Sequence, residues 1–402
     1  MRPHFELSVE VCREEGFSLV ETMLAAALTL MVTATVFSVM HPTQGLFASQ
    51  LEAADMQQRL RVAQDTLSHS LLMAGAGVYA GNQSGPLVFY FPPVLPFRQG
   101  ARNEDPIGTF ATDRITLLAV PSTAAQTVIS QPLAPGALSF APAPAQDGSC
   151  AVNDPLCGFM KDTEVLVFDD SGNYDPFTIT AANAGVLELS IDRSSPSMTA
   201  TYPAGSKVVA VQKHTYYLKT DVAAKTSQLM HYDGTANADV PIVDNVVGLR
   251  FDYYGEPQPP MMTKPLDDRS APQTTYGAPP RNAAPPYGPG ESCLFVNDGS
   301  PTPAPRLPDL GNGSHTAVPL TAAQLTDGPW CPNDSNPNRW DADLLRIRTI
   351  AVTLRVQAAV AALRGPASVL FINGGTSNRG STWVPDQEIR FQISPRNLNT
   401  GR

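Results

Sequence analysis

The chain is short of the residues that catalysis and metal binding draw on. Its six histidines, His4, His41, His69, His214, His231 and His315, are scattered, with no pair at metal-ligand spacing. No Gly-x-Ser-x-Gly elbow and no phosphate-cradling Gly-rich loop occurs. Nothing here points to an enzyme or to a cofactor. Charge is sparse at 16%, and the 27 Lys and Arg are outnumbered by 37 Asp and Glu, for a formal net charge of -10. A chain so acidic has no evident affinity for nucleic acid or anionic lipid surfaces. Cysteine is scarce, five in 402 residues. A four-thiolate zinc site wants paired ligands two to four residues apart, and neither Cys150 with Cys157 nor Cys293 with Cys331 has that spacing. Apolar runs long enough to cross a bilayer are missing everywhere but one place.

That place is Phe17–Met40, 24 residues with Glu21 as the only charge, roughly 36 Å as a helix and enough to span a bilayer. Residues 1–16 are too short and too polar for a secretory signal peptide, which carries its own apolar core before the cut. A carboxylate inside such a span costs about 2.5–3.5 kcal/mol, so Glu21 either has a function or snorkels to the interface of an ordinary anchor. Pro42 and Gly45 then predict a kink or short melted segment. Periodicity resumes with Leu60, Ala63, Leu67, Leu71 and Ala74 against a polar face of Gln57, Arg61, Asp65 and Ser68. This is the pattern of a half-buried helix, with Gly75, Gly77 and Gly81 to end it.

Beyond Gly81 the period changes. Leu87–Phe91, Arg114–Val120, Glu164–Phe168, Phe177–Thr180, Val186–Ile191, Lys207–Leu218, Gln228–Tyr232, Val246–Tyr254, Leu345–Gln357 and Glu388–Ile393 read as strands. A long helix followed by many strands predicts an α+β fold, an antiparallel sheet packed on the helix. Residues 257–340 differ, holding 18 of the 38 prolines. Their composition favours turns and extended segments over a core. The stretch reads as an insertion between two strands, either a partner-binding loop or a mobile decoration. One acidic stretch, Asp169, Asp170, Asn173 and Asp175, offers oxygens of the kind calcium prefers. It lies between two expected strands and lacks the full EF-hand pattern, so a hairpin turn is the favoured explanation and calcium the alternative. Asp334-Ser335-Asn336-Pro337-Asn338, followed by Asp341 and Asp343, is a second oxygen-rich stretch.

Gly16-Phe17-Ser18-Leu19-Val20-Glu21 with the apolar run behind it resembles the processing site of type IV prepilins and pseudopilins. In those, a short polar leader ends in Gly, the mature chain begins with Phe, and its fifth residue is Glu. The leader here departs in one respect, since Arg13 is followed by Glu14-Glu15 where the family usually has basic residues. The run from Asp55 to Gly75, the Val246–Gly255 strand, the strand near Ile350–Leu354 and the terminal Arg396-Asn397 are similar to minor pilins of the PilW type. J-type pseudopilins of type II secretion are related to these.

The resemblance implies cleavage between Gly16 and Phe17 and methylation of Phe17 by a prepilin peptidase. It also implies pairing of Glu21 with the Phe17 amine of a neighbouring subunit, and assembly with other minor pilins and the major pilin. The subunit would wait in the bacterial inner membrane with its globular part periplasmic, then pass to a pilus or the cell surface. With Cys12 in the leader, four cysteines remain. In an exported chain these read as two disulfides, Cys150 with Cys157 and Cys293 with Cys331. The expected layout is a leader 1–16, a membrane helix 17–40, an amphipathic continuation 41–81, a β-rich domain 82–256, the Pro-rich insertion 257–340 and closing strands 341–402. A secretion pseudopilin, or a periplasmic binding or enzymatic domain tethered by an uncleaved anchor, would share the same N-terminus.

Overall fold

The computed structural model describes residues 16–75, 91–96, 110–120, 125–143, 154–169, 173–186, 188–191, 200–221, 226–232, 239–263, 273–277, 280, 286–336, 339–364, 377–378 and 381–398. Expectations placed on residues 1–15, Gly77, Gly81, Leu87–Tyr90, Cys150 and Asp170 fall outside them. Packing divides the chain into two compact units, Met1–Asp55 with Val360–Pro385, and Met56–Ala359 with Asp386–Arg402.

A helix, α1, runs from Leu19 to Met73, 55 residues. Its Leu19–Met40 stretch has a mean hydropathy of 2.0 and none of it is buried, so it is long and apolar enough to span a membrane. The few hydroxyls on it are satisfied within the helix. Thr29 donates to the Ala25 carbonyl at 2.7 Å, Thr33 to Thr29 at 2.6 Å, and Ser38 to Thr35 at 2.8 Å, as a segment would require if it had no water around it. The chain does not melt at Pro42 and Gly45, because both positions lie inside α1. A proline in a helix interior forfeits one backbone bond, at about 3 kcal/mol. A helix already formed on both sides of it needs only propagation, the favourable part of helix formation.

In the second unit α1 buries one stripe. Met56, Leu60, Ala63, Leu67, Leu71 and Ala74 are 8% exposed or less, at three- and four-residue spacing, while Gln57, Arg61 and Asp65 face solvent. Each large apolar side chain buried this way contributes about 1.5–3 kcal/mol. The helix stops at Met73, short of the expected 81, and Gly75 explains why. Its φ is +71°, a left-handed conformation that glycine adopts without penalty. A Cβ there would also lie 3.0 Å from Pro93 Cγ and 3.3 Å from Leu398 Cδ2.

The main strands of this unit are β1 (Val94–Leu95), β2 (Arg114–Ala119), β3 (Gln126–Val128), β4 (Ser139–Phe140), β5 (Glu164–Phe168), β6 (Tyr174–Asn183), β7 (Glu188–Ile191), β8 (Lys207–Ala210), β9 (Gln212–Asp221), β10 (Thr226–Tyr232), β11 (Val240–Asp244), β12 (Val246–Gly255), β13 (Val318–Leu320), β14 (Ile347–Val356) and β15 (Gln387–Ile393). They form three sheets, ordered β1-β2-β9-β10-β11, β13-β12-β14-β15 and β3-β8-β5-β6-β7-β4. All the pairings are antiparallel. The fold is therefore α+β, an N-terminal apolar helix with a large antiparallel β domain.

The first sheet carries the helix. Tyr216 of β9 sits opposite Ile115 of β2, and its hydroxyl is 2.7 Å from Ser70 Oγ in a buried contact. The third sheet is closed. Beyond its edge strands β3 and β4, Ser130 N–H donates to the Ala141 carbonyl at 2.9 Å and Ala143 N–H to Val128 at 2.7 Å, so six strands make a small barrel. Its interior is filled by side chains including Val165, Val167, Ile179, Leu189, Tyr202 and Val208, all at 0% exposure.

The single strand expected over Lys207–Leu218 is two strands in two sheets. The break is at Val211, whose N–H donates to the Glu164 carbonyl at 3.0 Å. Beside it the nearly buried Lys213 ammonium stands 3.1 Å from the Glu164 carboxylate. Phe91, expected at the end of a strand, is instead at a bend. It packs on Tyr174 at 4.2 Å between ring centroids and on Trp340 at 6.1 Å.

Residues 256–346 link β12 to β14, which are paired neighbours in one sheet. Composition predicts no core for this segment, yet Tyr276, Leu294, Phe295, Leu307 and Leu325 are each 3% exposed or less. The difference lies in donors. Proline has no N–H, so a Pro-rich chain carries more carbonyls than it can satisfy. Arg346, fully buried, supplies them: Nη1 donates to Pro257 at 2.7 Å and Glu256 at 3.2 Å, and Nη2 to Pro308 at 2.5 Å. Tyr276 adds its hydroxyl to the Gln258 carbonyl at 2.8 Å, under the Arg348 guanidinium at 5.6 Å from its ring.

Candidate functional site

Residues 16–18 precede α1 without regular structure. Ser18 is its N-cap, because the Ser18 carbonyl accepts the first helical bond, from Thr22 N–H at 3.1 Å. Helix starts leave backbone donors unpaired, and here two are satisfied reciprocally. Ser18 Oγ accepts from Glu21 N–H at 3.2 Å, and Glu21 Oε2 accepts from Ser18 N–H at 3.2 Å. That is a capping box, Ser-x-x-Glu. Sequence reading named Glu21 and missed Ser18, although the Ser-x-x-Glu signal was present. Phe17 is 85% exposed, and a Cβ on Gly16 would meet nothing within 4 Å. Gly16, Phe17 and Glu21 are thus open and, among the described residues, outside any packed core.

Cys293 and Cys331 are joined by a disulfide, with Cα atoms 5.2 Å apart. Cys157 is also disulfide-bonded; its partner lies outside the described residues, where Cys150 falls.

Asp169 and Asn173 stand at the two ends of the connection between β5 and β6, and Asp175 lies within β6. Asp169 accepts from Asn173 N–H at 3.0 Å and from its Nδ2 at 2.7 Å. Asp175 accepts from the Tyr202 hydroxyl at 2.7 Å inside the barrel, where burial raises the Tyr202 pKa. Asn173 Oδ1 accepts from Asn336 Nδ2 at 3.3 Å, so the two oxygen-rich stretches touch one another. Among the described residues, no three His, Cys, Asp or Glu side chains are grouped to hold a metal ion.

Asp341 and Asp343 are committed elsewhere. Asp341 accepts from Gly328 N–H at 2.7 Å and Asp343 N–H at 2.8 Å. Burial pushes its pKa up to about 7 against the pull of those two donors. Asp343 pairs with Arg346 Nε at 2.5 Å, and burial raises it to about 6 despite that cation. Sheet register also makes one histidine pair that spacing did not suggest. His214 Nδ1 of β9 and His231 Nε2 of β10 are 2.9 Å apart, and the His231 ring stacks on Tyr216.

The chain matches no family model, no curated protein and no solved structure.

Proposed function

We propose that this protein is a minor pilin of the PilW type, a subunit of a type IV pilus that takes part in its initiation or assembly. The observation that carries this reading is the N-terminal arrangement. An exposed Gly16-Phe17 bond precedes a capped helix whose first turn holds Glu21. Glu21 lies within the unburied 22-residue stretch Leu19–Met40, whose mean hydropathy is 2.0, and the same helix later buries a stripe in a β domain. An enzyme tether needs a span but neither a Gly-Phe junction nor a carboxylate within the span.

In this reading a prepilin peptidase cuts before Phe17 and methylates it. The apolar span then moves from the inner membrane into a filament core of similar polarity. Since both surroundings are apolar, the move gains little hydrophobic energy, and pairing of Glu21 with a neighbour's Phe17 amine selects the register. The β domain stays periplasmic and then reaches the cell surface, and segment 257–340 is the Pro-rich insertion particular to this subunit.

Two measurements test the proposal. Mass spectrometry of the mature chain is expected to find N-methylated Phe17 at the N-terminus; an intact Met1 would favour a tether. Glu21→Ala is expected to reduce filament incorporation at least tenfold with the β domain still folded, and normal incorporation would count against the mechanism.

A further inference from the structure

We propose that Ser18 is a positioning residue for processing: its capping box with Glu21 fixes the start of α1 so that the Gly16–Phe17 bond stays outside the helix, where a peptidase can reach it. This inference rests on the processing reading above and adds to it a reason for the residue between the cut and the carboxylate.

The physical need is simple. A peptide bond inside a helix has its carbonyl and N–H turned into the helical ladder, and hydrolysis requires both to be available. Hydrolysis adds one water across Gly16–Phe17: the C–N bond breaks, Gly16 leaves as a carboxylate, and the Phe17 nitrogen keeps its electron pair and takes a proton. Within this apolar run little besides Ser18 would stop the helix from growing backwards. Phe17, Leu19 and Val20 carry no cap, and Glu14-Glu15 upstream is a pair of acidic residues of the kind that favour a helix start.

The hydroxyls further along behave differently. Thr29, Thr33 and Ser38 bond back to carbonyls of the preceding turn, whereas Ser18 Oγ accepts from Glu21 N–H. An N-cap residue takes non-helical backbone angles, and residues 16–18 are accordingly free of helix. The space around Gly16 adds a second point. A Cβ there would meet nothing within 4 Å, so the acyl side of the bond is open among the described residues.

The cap also prepares the product. Once the bond is cut, the Phe17 ammonium sits beside the positive end of the helix dipole, an unfavourable place. Glu21 already turns its Oε2 to the Ser18 N–H at 3.2 Å, one residue from the new charge, and offsets it.

The test uses the full chain in membranes with a prepilin peptidase, following cleavage over time and identifying the new N-terminus by mass spectrometry. Ser18→Ala is expected to slow cleavage about fivefold, the factor that a typical N-cap contributes, and to broaden the set of cut positions. Ser18→Asn, which caps as well as serine but has no hydroxyl, is expected to restore both rate and position. Cleavage of Ser18→Ala at the normal rate and position overturns the role of Ser18 and leaves the processing reading standing. Failure of Ser18→Asn to rescue overturns it as well, since the peptidase would then be reading the hydroxyl itself. Absence of any Phe17 N-terminus from the unaltered chain brings down the processing reading, and this inference with it.

Discussion

Two long stretches of the β domain occupy the place of a hairpin turn, and they are held by opposite means. The barrel, 125–210, stands between β2 and β9, which pair at Ala119 and Gln212. The Pro-rich stretch, 256–346, stands between β12 and β14, which pair at Gly255 and Ile347. The barrel closes its own backbone and fills its interior with apolar side chains. The Pro-rich stretch forms only short ladders of two or three residue pairs, and several of its carbonyls converge on one guanidinium, Arg346, which also pairs with Asp343; a separate disulfide joins Cys293 to Cys331. A stretch rich in N–H groups distributes its cohesion over many small contributions. One depleted of them concentrates cohesion at a few polar points.

The sharpest way to break the comparison is at Arg346. Arg346→Leu would strand the buried Asp343 carboxylate and three or more carbonyls, a loss on the order of 5 kcal/mol. Limited proteolysis of the detergent-solubilised protein is expected to open 257–340 first while 125–210 stays protected. Simultaneous cleavage of both would mean that the two stretches are not separately held.

A single core truncation in the barrel should cost less, because its cohesion is shared. Leu189→Ala, at a fully buried position, is expected to lower stability by about 3 kcal/mol, with 257–340 still resistant to protease.

The smallest effect is one of pH. Folded Asp341 keeps its proton up to about 7, whereas its usual value is 3.8. The folded state therefore binds the extra proton between those values, and stability falls as pH rises through that window. Between pH 6 and 8 this contributes a loss of about 1.4 kcal/mol. Thermal melts at the two pH values should show it, and Asp341→Asn should flatten the slope; an equal slope in that variant would refute the assignment.

Much of the fold was readable from local pattern. The stripe Leu60, Ala63, Leu67, Leu71, Ala74 is buried as its spacing predicts, and Glu164–Phe168 is a strand with those ends. Strands went unread where they are short or carry proline, as in Gln126–Val128, Ser139–Phe140 and Val240–Asp244. The closure of the barrel, the division of Lys207–Leu218 at Val211 and the His214–His231 pair depend on which strands become neighbours. No window of a few residues contains that. Arg346 had no local signature for its role in the Pro-rich stretch either, since the carbonyls it serves lie 38 to 90 residues away. Ser18 was different: its signal was local and complete, but a charged residue in an apolar run drew the reading to Glu21.

Ala125 and Ala210 mark the two ends of the barrel, and Ala210 N–H donates to the Ala125 carbonyl at 2.8 Å. A stretch whose ends meet behaves as a cassette. Replacing it by a short turn would ask for no change in the register of β2 against β9, and would remove only the contacts that leave the barrel, chiefly Lys213 with Glu164, Phe91 with Tyr174 and Asn336 with Asn173.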